Sequence, residues 1–299
     1  MGVLVTGSSG FLGKIIAEEL KIENKIFGLS RNFANFKVSL EKEVPVFDEI
    51  FEIVIHAAGK AHSVPKTEIQ KKEFSNVNLQ GTKNLLKGLE NSKIPNKFIF
   101  ISSVSVYGIE TGNNVNENHP LLANDPYGLS KIEAEQIILN WCKENNVICT
   151  ILRLPLLVGL NAPGNLGAML KAIDKGYYFN IDNGKARKSM VLAKDVATFI
   201  PKVAVVGGIY NLTDGLHPSF HELSCAIANQ KKKKLPMSLP LFIAKSMGYI
   251  GDLLGDKVPI NSLKLSKITS DLTFDDSKAR ELLGWNPQSV IDYLKNNCI

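Results

Sequence analysis

The 299-residue chain is predicted to belong to the α/β class, with a doubly wound parallel sheet and a smaller C-terminal α/β domain. In its first half, short apolar runs alternate with segments of helical apolar spacing, which is typical of βαβ units. After about Pro155 the alternation ends, and loops rich in Gly, Asn and Pro follow. We therefore expect a first domain over residues 1–158 and a second over residues 159–299, with segments around residues 190–212 returning to the first.

The apolar pattern predicts the elements of the first domain in chain order. A buried run at Val3–Val5 predicts the first strand, and the residues from Phe11 to Leu20 have the apolar spacing of one helix. Further strands are predicted at Lys25–Leu29, Phe36–Leu40, Ile53–Ile55, Phe98–Ile101 and Val147–Leu152. Further helices are predicted at Glu68–Asn91 and Tyr127–Glu144. Parallel strands end at one edge of their sheet, so we expect the ligand to bind there.

Composition excludes several classes of protein. With 44% hydrophobic and 21% charged residues, the chain has the make-up of a soluble globular protein rather than a disordered or fibrous one. Its four cysteines form no CxxC pair, which excludes a disulfide framework and a zinc site and fits a reducing compartment. We therefore expect no metal site. We also expect a cytoplasmic location, because the N-terminus shows no leader pattern.

The net charge of +6 comes in large part from the run Lys231–Lys234. We interpret this run as a solvated loop rather than a nucleic-acid or membrane patch, since no aromatic residues interleave with it. The apolar stretch Leu235–Leu254 is interpreted as packing, with a membrane-surface helix as the alternative. We expect no nucleic-acid partner and no stable insertion in a membrane.

Three glycines predict a dinucleotide-binding loop. Gly7, Gly10 and Gly13 follow the first strand and open the first helix. Glycines here allow a tight turn and a close approach of the backbone to a pyrophosphate, which the helix N-terminus attracts. A loop that binds nothing is the alternative.

The end of the second predicted strand indicates which cofactor binds. A carboxylate there would bind the ribose 2′-hydroxyl of NAD, but the chain has Arg31 and no acid between Glu23 and Glu41. A guanidinium suits a 2′-phosphate. We therefore predict NADP, with NAD possible if Arg31 is only a surface residue.

A pair of residues on one predicted helix indicates acid–base chemistry. Tyr127 and Lys131 are four residues apart and so share a face. An ammonium beside a phenol lowers the pKa of the phenol, which could then exchange a proton with a hydroxyl or ketone near neutral pH. Serines that end the strand at Phe98–Ile101 could bond the same oxygen.

Together these motifs resemble the extended short-chain dehydrogenase/reductases of the NAD(P)-dependent nucleotide-sugar epimerase/dehydratase family, over nearly the whole chain. The segments that carry the resemblance are Thr6–Gly13, Val54–Gly59, Val77–Thr82, Ser102–Gly108, Tyr127–Lys131 and Asp276–Pro287. The resemblance implies a Rossmann-type fold and an enzyme. It also implies a homodimer formed through the helices at Glu68–Asn91 and Tyr127–Glu144.

The resemblance also implies roles for individual residues. Tyr127 would be the acid/base, Lys131 would hold the nicotinamide ribose, and Ser103 would be the catalytic hydroxyl. Cofactor contacts would come, besides Tyr127 and Lys131, from Gly7, Ser9, Gly10, Phe11, Leu12, Gly13, Arg31, Ala57, Ala58, Gly59, Asn78 and Pro155. Substrate contacts would come from Ser105, Asn165, Arg187 and Lys188. Arg187 and Lys188 compete for the position of the diphosphate-binding arginine, and the register with Asp195 prefers Lys188.

A departure from the family narrows the reaction. Sugar 4,6-dehydratases usually carry Asp-Glu after the catalytic hydroxyl, where this chain has Val104 and Ser105. Without that carboxylate the elimination of water lacks its acid/base. What remains is chemistry at C4. The segments His56–His62, Arg153–Gly159 and Lys188–Val191 resemble a bacterial surface-polysaccharide subgroup of 4-keto reductases and 4-epimerases, and this resemblance implies a UDP-hexose. Arg31 favours an NADPH-dependent reductase over an NAD-dependent epimerase. A reductase of a non-sugar molecule and a non-catalytic NADP-binding regulator stay as alternatives.

Overall fold

A seven-stranded parallel sheet forms the centre of the protein. The computed structural model describes residues 1–61, 65–254 and 261–297. Its strands are β1 (Gly2–Thr6), β2 (Lys25–Ser30), β3 (Phe36–Lys37), β4 (Ile53–His56), β5 (Lys97–Ser103), β7 (Ile148–Leu154) and β11 (Gly208–Asn211). They lie in the order β11-β7-β5-β4-β1-β2-β3, and every pairing in the sheet is parallel. The predicted α/β class and doubly wound sheet are confirmed.

Helices cover both faces of this sheet. Alternate strand residues such as Val3 and Val5 face α1 and α6, while Leu4 and Val54 face α3 and α4. Residues of a strand point alternately to its two faces, so a sheet buried on both sides needs continuous apolar runs. The helices of this part are α1 (Phe11–Leu20), α2 (Glu68–Phe74), α3 (Gly81–Glu90), α4 (Pro126–Glu144) and α6 (Ala193–Val203).

Two predicted elements differ from the observed ones. The third strand spans only Phe36–Lys37, because β2 itself ends at Ser30, whose carbonyl accepts from the backbone N–H of Val38. The helix predicted at Glu68–Asn91 is a single helical run in which a π-helical segment, Ser75–Gln80, separates α2 from α3. Such π segments occur mostly at functional sites, and this one carries Asn78.

The remaining residues form a second region around short two-stranded sheets. These pair β8 (Leu156–Val158) with β10 (Met190–Leu192), β9 (Phe179–Ile181) with β12 (Met237–Leu239), and β6 (Gly112–Val115) with β13 (Leu272–Phe274). Its helices are α5 (Gly164–Asp174), α7 (Phe220–Gln230), α8 (Leu241–Leu254), α9 (Ser262–Thr269), α10 (Ser277–Leu283) and α11 (Val290–Asn296). Between these elements the chain returns to the main sheet, where β11 pairs with β7 and α6 packs against α1.

Candidate active site

The glycine loop between β1 and α1 packs too closely for side chains. Gly7 has φ +67°, and a Cβ there would lie 2.8 Å from the backbone of Ala58. A Cβ on Gly13 would lie 2.2 Å from the carbonyl oxygen of Gly7. The loop is thus pressed between β4 and the start of α1, while Ser9 and Gly10 are exposed at its tip. The first N–H groups of a helix have no acceptor within it, so this end can receive an anion.

The other predicted residues of the loop divide their roles. The side chain of Leu12 is buried in the core beneath the sheet, which leaves only its backbone for a ligand. Phe11 is half-buried, with its ring 3.2 Å from where a Cβ of Gly159 would stand. Phe11 therefore contacts the stretch that follows β8, in the second region.

The end of β2 lies beside this loop. The backbone N–H of Gly7 donates to the carbonyl of Leu29 at 2.8 Å, so the loop is bonded to the C-terminal end of that strand. Arg31 follows β2 and is exposed. The hydroxyl of Ser8 is buried and has no hydrogen-bond partner among the described residues. A buried hydroxyl without a partner is costly in a native fold, so Ser8 Oγ is available to a bound polar group.

Asn78, Gly59 and Lys131 meet at the carboxyl ends of β4 and β5. A Cβ on Gly59 would lie 3.2 Å from Asn78 Oδ1 and 3.4 Å from Lys131 Nζ. Asn78 donates to Ser130 Oγ at 2.9 Å, and Ser130 Oγ donates to the carbonyl of Tyr127. The π segment is therefore fixed to the first turn of α4, which carries Tyr127 and Lys131.

His56 is the buried centre of a second hydrogen-bond chain. Thr82 Oγ1 donates to the carbonyl of Asn78 at 2.6 Å, so it accepts from His56 Nε2 at 2.9 Å. His56 Nδ1 then accepts from Thr6 Oγ1 at 2.7 Å. Burial, with a smaller contribution from the Lys131 charge, lowers the pKa of His56 to about 3, which keeps the imidazole neutral. The chain ties β1 and β4 to the segment that bears Asn78.

Tyr127 is the second residue of α4 and lies beside Ser103. Asp125 caps this helix by accepting from the backbone N–H groups of Tyr127 and Gly128 at 3.0 and 3.1 Å. Burial raises the pKa of Tyr127; the hydrogen bond with Ser103 lowers it in part, and the Asp125 charge raises it. The expected lowering by Lys131 is therefore wrong for this structure, because the lysine is directed elsewhere. A raised pKa holds Tyr127 as a protonated phenol, which can donate a proton.

Lys131 is buried and donates from Nζ to the carbonyl of Ile101 at 2.9 Å, with Nζ 4.5 Å from the ring centre of Phe100. Burial lowers the pKa of Lys131 to about 8, and the charge of Glu135 opposes this shift. The ammonium thus lies between the sheet and Gly59. In this position it can hold a hydroxyl-bearing ligand at the edge of β5.

The sequence did not single out the ion pair below these residues. The side chains of Glu135 and Arg153 are each 3% exposed. Arg153 Nη2 lies 2.7 Å from Glu135 Oε2, so the two form an ion pair. Glu135 also accepts from Ser102 Oγ at 2.5 Å, and Arg153 donates to Tyr107 Oη at 3.2 Å. The helix spacing could have pointed to Glu135, which follows Lys131 by four residues as Lys131 follows Tyr127, but nothing in the sequence pairs it with Arg153. A buried pair of this kind fixes α4 against β5 and β7.

The predicted substrate residues are more scattered. Ser105 lies after Ser103 in the 3₁₀ turn Val104–Tyr107, and its buried Oγ has no partner among the described residues. Pro155 separates β7 from β8 and is half-buried. Asn165 is exposed in the first turn of α5. No described hydrogen bond joins Asn165 to Ser103 or Tyr127, so that side of the site is less closely fixed.

The two competing cations differ in their surroundings. Arg187 is half-exposed, donates to the carbonyl of His217 at 3.1 Å and lies 3.7 Å from Glu222. Burial lowers the pKa of Lys188, while the charges of Glu110 and Asp271 oppose the shift. Arg187 is thus already engaged with a carboxylate, whereas Lys188 is the less hydrated of the two cations. This difference agrees with the register preference for Lys188.

The edge of the sheet fits a dinucleotide. At Gly7 and Gly13 the backbone leaves no room for a Cβ, so it can approach a pyrophosphate closely. The N-terminus of α1 and the buried hydroxyl of Ser8, which has no partner among the described residues, offer further donors. In the described ranges, no group of three or more His, Cys, Asp or Glu side chains could hold a metal ion. No helix in those ranges is long and apolar enough to cross a membrane.

Comparison with known proteins identifies relatives along the whole chain. The family described as "NAD dependent epimerase/dehydratase family" matches residues 3–212. An N-acetyl-α-D-glucosaminyl-diphospho-undecaprenol 4-epimerase of Escherichia coli O157:H7 is 29% identical, covering 92% of this chain and 88% of that protein. A decarboxylating sterol-4-α-carboxylate 3-dehydrogenase of Dictyostelium discoideum is 32% identical, covering 95% of both chains.

Two further comparisons bear on the reaction and the fold. A GDP-6-deoxy-D-mannose reductase of Pseudomonas aeruginosa is 32% identical over 46% of each chain. Among solved structures, a UDP-glucose 4-epimerase of Thermotoga maritima, crystallised with UDP-glucose, superposes with a TM-score of 0.74 and 21% identity. That superposition covers 99% of this chain and 96% of the other.

Proposed function

The chain belongs to the NAD dependent epimerase/dehydratase family, and on this premise we propose that it reduces a 4-keto group of a UDP-hexose with NADPH. The proposal rests on one arrangement above all. Ser103 and the protonated Tyr127 lie side by side at the carboxyl edge of β5, where Lys131 bonds the carbonyl of Ile101 and lies close to Gly59. Two hydroxyl groups directed to one place suit an oxygen on which negative charge develops.

The side chains of this chain have separate tasks in that reaction. Bound NADPH would supply the hydride. Ser103 and Tyr127 hold the ketone oxygen, and Tyr127 gives its phenolic proton to the alkoxide as it forms. Lys131 holds a ribose hydroxyl, while Asn78 keeps Gly59 and the start of α4 in register, and the phenolate left on Tyr127 takes its proton back from solvent water. Fixed placement of the two reactants accounts for much of the rate enhancement.

Arg31 and Ser8 support NADPH over NADH. Arg31 follows β2 on the exposed side, and Ser8 offers a buried hydroxyl beside that strand. A phosphate on the adenosine ribose could accept from both, whereas the 2′-hydroxyl of NAD would meet no carboxylate.

A UDP-hexose 4-epimerase with bound NAD is the second candidate. The relative from E. coli O157:H7 is named a 4-epimerase, and Ser103, Tyr127 and Lys131 serve either reaction. That relative is also named for a sugar carried on undecaprenol diphosphate. Our proposal therefore also specifies which group carries the sugar diphosphate, namely uridine. We assign Lys188 to the diphosphate, together with Asn165 at the start of α5.

We also propose that the protein is a homodimer. A light-scattering mass equal to that of one chain would refute this.

The first experiment identifies the cofactor. Protein purified without added nucleotide is extracted for bound NAD or NADP, and binding of NADPH and NADH is then titrated with and without UDP. We expect an empty site that prefers NADPH and binds it more tightly with UDP. Tightly held NAD would instead support the epimerase, and no affinity for UDP would remove the nucleotide-sugar reading.

The second experiment tests the acid. Tyr127→Phe removes the phenolic hydroxyl but leaves the ring that packs near Phe74. We expect turnover of a UDP-4-keto sugar to fall by about 10²–10⁴-fold, with NADPH binding unchanged. Tyr293→Phe, far along the chain in α11, is the matched control. Unchanged activity in Tyr127→Phe would leave a non-catalytic NADP-binding protein as the better description.

A further inference from the structure

The segment from Lys231 to Gly251 has an unusual exposed surface in the second region. Its solvent-facing large side chains include Met237, Phe242, Tyr249 and Ile250, exposed by 68%, 71%, 66% and 55%. Side chains of this size are expected to pack rather than face water. They occur within fourteen residues of one another, and three of them, Phe242, Tyr249 and Ile250, lie on the single helix α8.

The helix α8 is turned with its large residues outward. Ala244, Gly248 and Gly251 are buried and recur at spacings of four and three, which places them on one face. Ala244 packs in a small cluster with Ile181 and Leu265, and a Cβ on Gly248 would lie 3.4 Å from Ser262 of α9. The face opposite these small residues carries Phe242, Tyr249 and Ile250. An amphipathic helix of a soluble domain has the reverse arrangement.

The charge of the same segment is entirely positive. Residues 231–251 hold five lysines, at positions 231–234 and 245, and no Asp or Glu. Lys232, Lys234 and Lys245 are exposed, and Lys233 lies 3.3 Å from Asp174 in an exposed pair. Asp252, the next acid along the chain, accepts from the backbone N–H of Ser262. Basic side chains in the same segment as an outward apolar helix face, one of them (Lys245) on the helix itself, match a surface that combines negative headgroups with hydrocarbon.

The patch is fixed to the substrate side of the molecule. β12, which contains Met237, pairs with β9. Ser238 Oγ accepts from the backbone N–H of Asn183 at 3.0 Å. From Asn183 the chain runs directly to Arg187 and Lys188. The patch and the two candidate diphosphate-binding cations thus belong to one continuous part of the fold.

We propose that this surface, formed by Lys231–Lys234 and the outer face of α8, docks the protein peripherally on an anionic membrane. The lysines contact the phosphate headgroups, and Phe242, Tyr249 and Ile250 enter the boundary between headgroups and acyl chains. The proposal does not depend on the reaction at C4. It gives the exposed lysine run a partner in place of solvent alone, and it requires no spanning helix.

Sedimentation of the full chain with vesicles tests the proposal. The vesicles contain phosphatidylcholine with phosphatidylglycerol, or phosphatidylcholine alone. We expect binding to the anionic vesicles that weakens as salt is added, and at least about tenfold weaker binding to the neutral ones. No sedimentation with anionic vesicles at low salt would overturn the proposal.

Two independent variants separate the apolar and the charged parts. Phe242→Ser with Ile250→Ser removes the apolar contact, and replacement of Lys231–Lys234 by Ser removes the charge. Each is expected to weaken binding to anionic vesicles at least about tenfold, with NADPH affinity unchanged. Ile22→Ser with Val46→Ser removes exposed apolar residues elsewhere in the chain and is expected to change nothing. Equal binding by all these proteins would overturn the proposal.

Two other occupants of the surface give different results. If α8 were the contact between two copies, light scattering would show a dimer that the Phe242→Ser, Ile250→Ser protein loses, and vesicles would not sediment the wild type. If the lysines served a nucleic acid, a single-stranded RNA would bind at low salt and vesicles would not. Either result would overturn membrane docking.

Discussion

The carboxyl edge of the main sheet and the second region hold their candidate residues in different ways. At the sheet edge, Asn78, Ser130, His56 and Thr82 are buried and joined by hydrogen bonds of 2.6–2.9 Å. In the second region Asn165 is exposed, and Arg187 forms an ion pair with the exposed carboxylate of Glu222. One part of the site is rigid because long parallel strands end together, and the other depends on short two-stranded pairs.

The difference predicts different consequences for substitutions in the two regions. The residues assigned to the cofactor are held by buried neighbours, since Lys131 bonds the carbonyl of Ile101 and Asn78 bonds Ser130. Substrate geometry depends on individual loops, and loops tolerate change. We therefore expect substitutions at the sheet edge to cost stability or the reaction itself, and substitutions in the second region to change affinity for the substrate.

The buried ion pair should give the largest effect on stability. Arg153→Met leaves Glu135 buried without its partner, which costs ~3–5 kcal/mol in the free energy of unfolding. Arg187→Met breaks an exposed pair with Glu222, which costs less than ~1 kcal/mol. Urea unfolding of both variants measures the difference. Similar losses for the two would show that the regions are equally fixed.

The glycine cradle should give the next largest effect. In Gly13→Ala the new Cβ would stand 2.2 Å from the carbonyl oxygen of Gly7, and backbone there can give way only by moving the loop. We expect a loss of ~1–3 kcal/mol in unfolding free energy, together with a fall in NADPH affinity. Gly176→Ala is the control, since its Cβ would meet nothing within 4 Å and only its positive φ is strained. Its expected cost is ~1 kcal/mol with full NADPH affinity.

His56 should make the stability of the sheet edge depend on pH. Its folded pKa of about 3 lies below the value of 6.5 for a free imidazole. Below pH 6.5 the unfolded chain takes up a proton that the folded chain refuses, so the free energy of unfolding falls as the pH drops from 6.5 towards 3. The slope from this residue is ~1.4 kcal/mol per pH unit.

Unfolding curves at pH 7 and pH 5 check this expectation. His56→Gln should flatten the pH dependence by about 1–2 kcal/mol over that interval. His221→Gln, at an exposed position on α7, should leave the dependence as it is. If the two variants behave alike, the buried hydrogen-bond chain does not hold His56 neutral.

The smallest effect is expected from the competing cations. Lys188→Met should raise the KM for a UDP-sugar by about tenfold with kcat nearly unchanged, because an exposed or half-buried ammonium contributes ~1–2 kcal/mol to a phosphate contact. Arg187→Met should raise KM less, since Arg187 already pairs with Glu222. The reverse order would assign the diphosphate to Arg187.

Much of the sheet edge could be predicted from the sequence. Strand after strand is a continuous apolar run, and the spacing of Gly7, Gly10 and Gly13 or of Tyr127 and Lys131 survives folding because it lies within a single turn or helix. The pKa of Tyr127 was not predictable in this way. Spacing places Lys131 on the same face as Tyr127, but the lysine bonds the carbonyl of Ile101 and burial then raises the phenol pKa.

Contacts between distant segments were hidden from the sequence. Arg153 and Glu135 lie on different elements, and only the packing of α4 on β7 makes them a pair. The exposure of Phe242, Tyr249 and Ile250 also depended on the tertiary structure, because an apolar helix looks the same in sequence whether its large residues face inward or outward.

The sequence by itself determined the α/β class, the parallel direction of the strands and the family of this protein, because these follow from local apolar periodicity and from short motifs. The tertiary structure alone decided which groups are dehydrated, which cation is already paired, and which face of α8 meets solvent. Burial and long-range pairing depend on all the neighbours of a side chain, and those neighbours come from strands and helices far apart in the chain.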